Sequence, residues 1–174
     1  MMQMLDAGGI PALTDGLRQP DPHNPRGYFE YEPVKRLAEN SAWLKRARGV
    51  SVKIIYRLLV HLPPGLKYRI LFMERDLNEV FDSQRDMLAA SGEPAADQDR
   101  DLLVRAFTAE VRAARERLAQ RREIRVLDVP YADVICDPVH WAGEVARFLD
   151  GGLDEAAMAA VVDPSLHRHK GGPG

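Results

Sequence analysis

Apolar and polar positions alternate along this chain in two rhythms, one helical and one extended. Met1 to Ala7 is apolar over two helical turns and is closed by Gly8-Gly9. Pro11 to Leu13 is long enough only for a very short strand, and Thr14 to Arg26, rich in Asp, Pro, Gly and Asn, reads as an exposed loop. Glu32 to Leu44 suits a helix that buries Val34, Leu37, Ala38, Trp43 and Leu44, ending at Gly49. Ser51 to Tyr56 reads as a strand whose companion is Tyr68 to Met73, an apolar run without sustained alternation, as expected of a parallel strand covered on both faces.

Downstream, Asp76 and Glu79 fit an N-cap and third helical position, and Leu77, Val80, Phe81, Gln84, Met87 and Leu88 keep helical spacing up to Gly92 and Pro94. A second helix over Asp97 to Arg121 aligns Leu103, Phe107, Val111, Ala114 and Leu118 in one stripe. Ile124 to Val129 follows as a strand, Tyr131 to Asp137 as a turn or short helix, and His140 to Leu149 as a helix with Trp141, Val145, Phe148 and Leu149 inward, stopped by Gly151-Gly152. Strands alternating with helices predict an α/β fold, a three-layer sandwich with a mostly parallel central sheet. The pattern predicts a single domain over residues 1–165 and a flexible tail over 166–174.

A length of 174 residues supports one sizeable core. The net charge of -2 gives no global basic field, so nucleic acid and anionic membrane surfaces are not indicated as partners, and any anion site has to be local. The single cysteine, Cys136, forms no internal disulfide and no zinc cluster, which fits a cytoplasmic protein without metal. The apolar start lacks a basic leader and is short of a spanning length.

Chemistry concentrates at strand ends. In open parallel sheets, ligands gather where the carboxyl ends of strands meet loops and helix starts. Arg75 occupies such an end, and Ser83 follows eight residues later within the next helix, about 10 Å along its axis from the Asp76 cap. A phosphate lying along that helix would meet a guanidinium fork and a hydroxyl. On spacing alone, Arg75 paired to Glu74 or Asp76, with Ser83 an ordinary flank residue, is the favoured reading.

The segment from Arg69 to Gln84 resembles the 3′-phosphate-binding segment of the sulfotransferases: an apolar strand ending in Arg, then Asp, then Ser eight residues after the Arg. Three further stretches fall in family order. Asn24-Pro-Arg-Gly-Tyr-Phe-Glu30 is similar to the Asn-Pro-x-Gly-Tyr-Phe-Glu stretch of bacterial members; Val52-Lys53 resembles their strand-end lysine; Tyr131 to Pro138 resembles their late Tyr-x-Asp-Leu-x-x-x-Pro turn. The resemblance spans Asn24 to Leu149. It implies a P-loop NTPase-like fold and transfer of a sulfuryl group from 3′-phosphoadenosine 5′-phosphosulfate (PAPS) to a hydroxyl or amine on a small-molecule, glycan or peptide acceptor. It implies Arg75 and Ser83 as nucleotide-binding residues, Lys53 as the cation on the transferred group and Glu30 as the acceptor's base, with Asp15, Glu32 and His23 as rivals. Against these stand a lysine snorkelling off a strand end and a glutamate fixing its own loop.

Two departures qualify the likeness. Where cytosolic members carry a His two places after the Lys, this chain has Ile55, and His61 reads as a surface residue. The family's first strand and its Gly- and Ser/Thr-containing phosphate loop have no counterpart: Gly8-Gly9, Gly151-Gly152 and Gly171-Gly172 none of them join a strand to a helix. Met1 to Ala7 matches the helix that would follow that loop. The expectation is therefore a domain incomplete at its front, with negligible transfer by this chain alone and with strand edges left unpaired around the missing strand. Two other readings remain: a non-catalytic remnant that binds adenosine 3′,5′-bisphosphate or a protein partner, and a small-molecule kinase, which would need a lysine-bearing phosphate loop and an acid at a strand end for magnesium.

Overall fold

A computed structural model describes residues 1–21, 24, 26–77, 80–81 and 100–166. At its centre lie two parallel strands, β1 (Tyr68–Glu74) and β2 (Ile124–Pro130), in register from Tyr68 opposite Ile124 to Glu74 opposite Pro130. Successive side chains of a strand point to opposite faces. Here Tyr68, Ile70, Phe72 and Ile124 enter one apolar cluster, whereas Leu71, Met73, Leu127 and Val129 enter another. β1 is apolar on both sides because both its faces are covered, whereas β2 is more open, with Arg125, Val126 and Asp128 exposed.

Among the described residues the helices with defined bounds are, in chain order, α1 (Met2–Ala7), α2 (Arg100–Ala119), α3 (Tyr131–Cys136), α4 (Pro138–Phe148) and α5 (Glu155–Ala160). One face of the sheet is covered by Leu118 of α2 together with Val34, Trp43, Leu44 and Leu59 from three 3-10 turns, Glu32–Arg36, Ala42–Arg46 and Tyr56–His61. The other is covered by Met4 and Leu5 of α1, Val134 of α3, Ala142 and Val145 of α4 and Met158 of α5. The molecule is mixed α/β.

Several sequence expectations are corrected. The stretch from Glu32 to Leu44 is two 3-10 turns, because Asn40 Oδ1 accepts from the Ala42 amide at 3.1 Å and offers the backbone a local alternative to continuing the helix. Val34, Leu37, Trp43 and Leu44 are buried as expected, but Ala38 is exposed. The 51–56 stretch forms a single parallel bridge, Ser51 with Ala12, rather than a strand. Ser51 bonds Pro11 O and Leu13 N, but Thr14 and Asp15 then turn away to bond the Glu30 carbonyl, so the ladder has no second rung. The partner of β1 is consequently β2, and among the described residues the regular sheet has two strands rather than a broad central sheet.

α4 begins two residues earlier than the pattern suggested, with Asp137 accepting from the His140 amide at 2.9 Å and Pro138 in the first turn. α5 was unforeseen. Its start is set by Asp154, which accepts from the Ala157 amide at 2.9 Å. Leu166 closes a 3-10 turn, Pro164–Leu166; residues 167–174, the rest of the expected tail, lie outside the described residues.

Candidate functional site

The segment from Thr14 to Glu32 is shaped by its own backbone. Gly27 (φ 86°) and Phe29 (φ 51°) both occupy the left-handed region, Phe29 despite its side chain, and they flank Tyr28. The Glu30 carbonyl accepts from Thr14 Oγ1 at 2.9 Å and from the Asp15 amide at 3.2 Å. Asp15 in turn accepts from the amides of Glu32 (2.6 Å) and Leu17 (3.1 Å). Arg26 ties the loop to the far end of the chain, donating to Val161 O at 2.6 Å and Asp163 at 3.0 Å.

On this frame Lys53 and Glu30 meet. The Lys53 ammonium donates to Tyr28 O at 3.1 Å and stands 3.9 Å from Glu30 Oε1. Arg18 donates to the same Oε1 at 3.0 Å, and its guanidinium lies 3.4 Å from the Tyr28 ring centroid, within cation–π range. The Tyr28 hydroxyl donates to Asp21 at 2.6 Å, which raises the pKa of the phenol. Desolvation pushes the Lys53 pKa below its ordinary value, opposed by Glu30 and assisted by Arg18. The charged side chains are about a third to a half exposed, where an ion pair contributes roughly 0–1 kcal/mol. Stability alone gives little reason for two cations to share one carboxylate oxygen.

Backbone hydrogen bonds that fix the loop are made by the Glu30 carbonyl and by Asp15, while the Glu30 carboxylate ties to the loop through Arg18. Backbone hydrogen bonds from Glu32 and Leu17 hold the Asp15 carboxyl below its usual pKa, which suits a structural clasp better than a base. Because the folded pKa is depressed, the clasp is fully formed above the unfolded value of 3.8 and is lost as pH falls through the lower folded value. Hydrogen exchange at the Glu32 amide is expected to accelerate in that acid window, and Asp15→Asn to abolish the pH dependence; an unchanged profile in the variant would refute the clasp. Glu32, the second rival, is exposed and pairs with Lys35 at 2.7 Å. His23 lies outside the described residues.

A second group sits at the carboxyl ends of the strands. Arg75 immediately follows β1, and its guanidinium is 5.1 Å from the ring of Tyr131, which immediately follows β2. Two separately noted sequence segments thus meet. Glu74 is bonded by Arg115 of α2 at 2.7 Å; Arg115 also forks onto Asp128 and lies 4.5 Å over the Phe72 ring. The acids at these strand ends already hold an internal cation. The Val80 amide bonds Asp76 O at 3.1 Å, a helical bond in the segment after β1, whereas Ser83 lies outside the described residues. Ile55 and His61 are exposed. Among the described residues no group of three or more His, Cys, Asp or Glu is arranged to hold a metal ion, and no helix is long and apolar enough to cross a membrane.

Sequence reasoning missed Arg18 and Arg115, and it quoted Tyr28 only as part of the Asn24–Glu30 stretch without giving it a role. For Arg18 the available signal was faint: an arginine in a loop whose ends, Thr14 and Glu30, are pinned together. Comparison with protein-family models, with curated proteins and with solved structures finds no match.

Proposed function

We propose that this chain is a sulfotransferase-type domain acting on PAPS, with Lys53 and Glu30 at the transfer site and Arg75 and Ser83 on the nucleotide's 3′-phosphate, in a P-loop NTPase-like fold. The observation that carries the reading is the meeting of Lys53 with Glu30, two residues taken from separate family-like stretches, on one pinned loop. In the transfer, the acceptor oxygen or nitrogen bonds to sulfur as the bond from sulfur to the 5′-phosphate oxygen breaks. The electron pair leaves on that phosphate oxygen, giving adenosine 3′,5′-bisphosphate, and the acceptor's proton passes to Glu30. Lys53 offsets the charge developing on the transferred group, which is most of what such a reaction asks of a protein.

The reading as a nucleotide-binding remnant is favoured by the Arg75–Tyr131 contact, which serves binding without chemistry. The kinase reading loses ground because Arg115 occupies the strand-end acids that magnesium would need. Calorimetry with adenosine 3′,5′-bisphosphate and 5′-AMP tests the proposal. A 3′-phosphate held by a charge-assisted pair is expected to give about tenfold or more tighter binding. Equal affinities would sink both sulfotransferase-type readings. Where discrimination is present, transfer of labelled sulfate from PAPS by a version supplied with a phosphate loop separates enzyme from remnant, since this chain alone is expected to transfer negligibly.

A further inference from the structure

We propose that Glu30 is a resident anion that holds Arg18 and Lys53 in place until a tetrahedral oxyanion takes both cations, and that this exchange releases the Glu30 carboxylate. As a step in sulfuryl transfer the exchange rests on the preceding reading; as anion binding it stands by itself.

Both cations converge on one oxygen, Glu30 Oε1, at 3.0 and 3.9 Å. The second distance is too long for a hydrogen bond, and Lys53 gives one to the Tyr28 carbonyl instead. A single carboxylate oxygen therefore serves the pair incompletely. A tetrahedral group carries several acceptor oxygens and can take bonds from a guanidinium and an ammonium together. Arg18 is prepared for this, because stacking on Tyr28 at 3.4 Å fixes the plane of its fork before any ligand arrives.

The exchange costs little on the protein's side. The pairs are partly solvated, so separating them loses only a weak interaction. The loop has holds other than the carboxylate. Thr14 and Asp15 grip the Glu30 carbonyl, Asp15 grips the Glu32 amide and Arg26 anchors the segment to Val161 and Asp163, so the side chain can swing while the backbone stays. In a transfer reaction the consequence is an order of events: the base becomes free of its cations only after the anionic donor has arrived.

The test uses inorganic sulfate, with inorganic phosphate as a second arm, titrated into the intact chain at constant ionic strength with chloride as the balancing ion and followed by the Tyr28 ring and Arg18 side-chain resonances. Saturable binding is expected, weakened roughly tenfold or more in Arg18→Ala, the scale of one charge-assisted hydrogen bond. Glu30→Gln, nearly isosteric and lacking the resident charge, is expected to bind sulfate several-fold more tightly than the parent. Unchanged or weaker binding in Glu30→Gln overturns the proposal, and that variant decides the matter even if Arg18→Ala fails to fold. Sulfate exchange without discrimination between adenosine 3′,5′-bisphosphate and 5′-AMP would keep the exchange and discard the sulfotransferase reading; the converse would discard the exchange alone. A larger response to phosphate than to sulfate would assign the cradle to phosphoryl groups.

Discussion

Truncating Met158 to alanine is expected to destabilise the chain by about 2–5 kcal/mol, the range for emptying a fully buried large side chain. Met158 has no exposed surface and sits where α5 packs on α1 and the Gly8 turn. Gly8 shows how tight that contact is. A Cβ there would lie 2.6 Å from Met158 Cγ and 2.8 Å from its Sδ, and 3.2 Å from Met4 O. Its φ of −78° suits any residue, so glycine is required for space rather than for backbone conformation. Gly8→Ala should cost about 1–2 kcal/mol, at the lower end for overpacking because methionine is flexible. With Met158 truncated the added methyl gains room, so the double variant should fall short of the sum by about 1 kcal/mol. Urea unfolding of the four proteins measures this, and strict additivity would disprove the contact. The consequence reaches the candidate site, because Val161 and Asp163, which hold Arg26, directly follow α5.

What the sequence revealed of this fold depended on how local each cause was. β1 was legible because Ile70 to Met73 is a continuous apolar run, β2 because its apolar positions persist around Arg125 and Asp128, and α2 because its stripe repeats over twenty residues. The 32–44 stretch misled because its apolar spacing suits a helix, whereas one side-chain bond from Asn40 divides it. The 51–56 stretch misled because strand composition does not reveal whether a neighbour stays alongside, and here Thr14 turns away to Glu30. α5 announced itself only through the Asp154 cap, a signal of one residue. At the candidate site, Glu30 and Lys53 were singled out by resemblance to a family, and Tyr28 lies in the same family-like stretch as Glu30, while Arg18 joins them only through loop closure. Such closure brings together residues whose local sequence carries no mark of it.

Arg75→Ala is expected to weaken binding of adenosine 3′,5′-bisphosphate by about 1.5–3 kcal/mol, the cost of removing a charge-assisted hydrogen bond, while 5′-AMP binding stays the same. The alternative role for Arg75 is pairing with Glu74 or Asp76, and of these Glu74 is bonded by Arg115 at 2.7 Å. The Arg75 guanidinium lies 5.1 Å from the Tyr131 ring, at the carboxyl ends of both strands, where a parallel fold presents its ligands. Arg75→Lys should fall between the parent and alanine, since the charge remains while the planar fork and its stacking are lost. Calorimetry on the three proteins with both nucleotides separates the possibilities. An equal loss for the two nucleotides would make Arg75 a general anchor of the strand ends, because only a residue that touches the 3′-phosphate can distinguish a nucleotide that carries one from a nucleotide that does not.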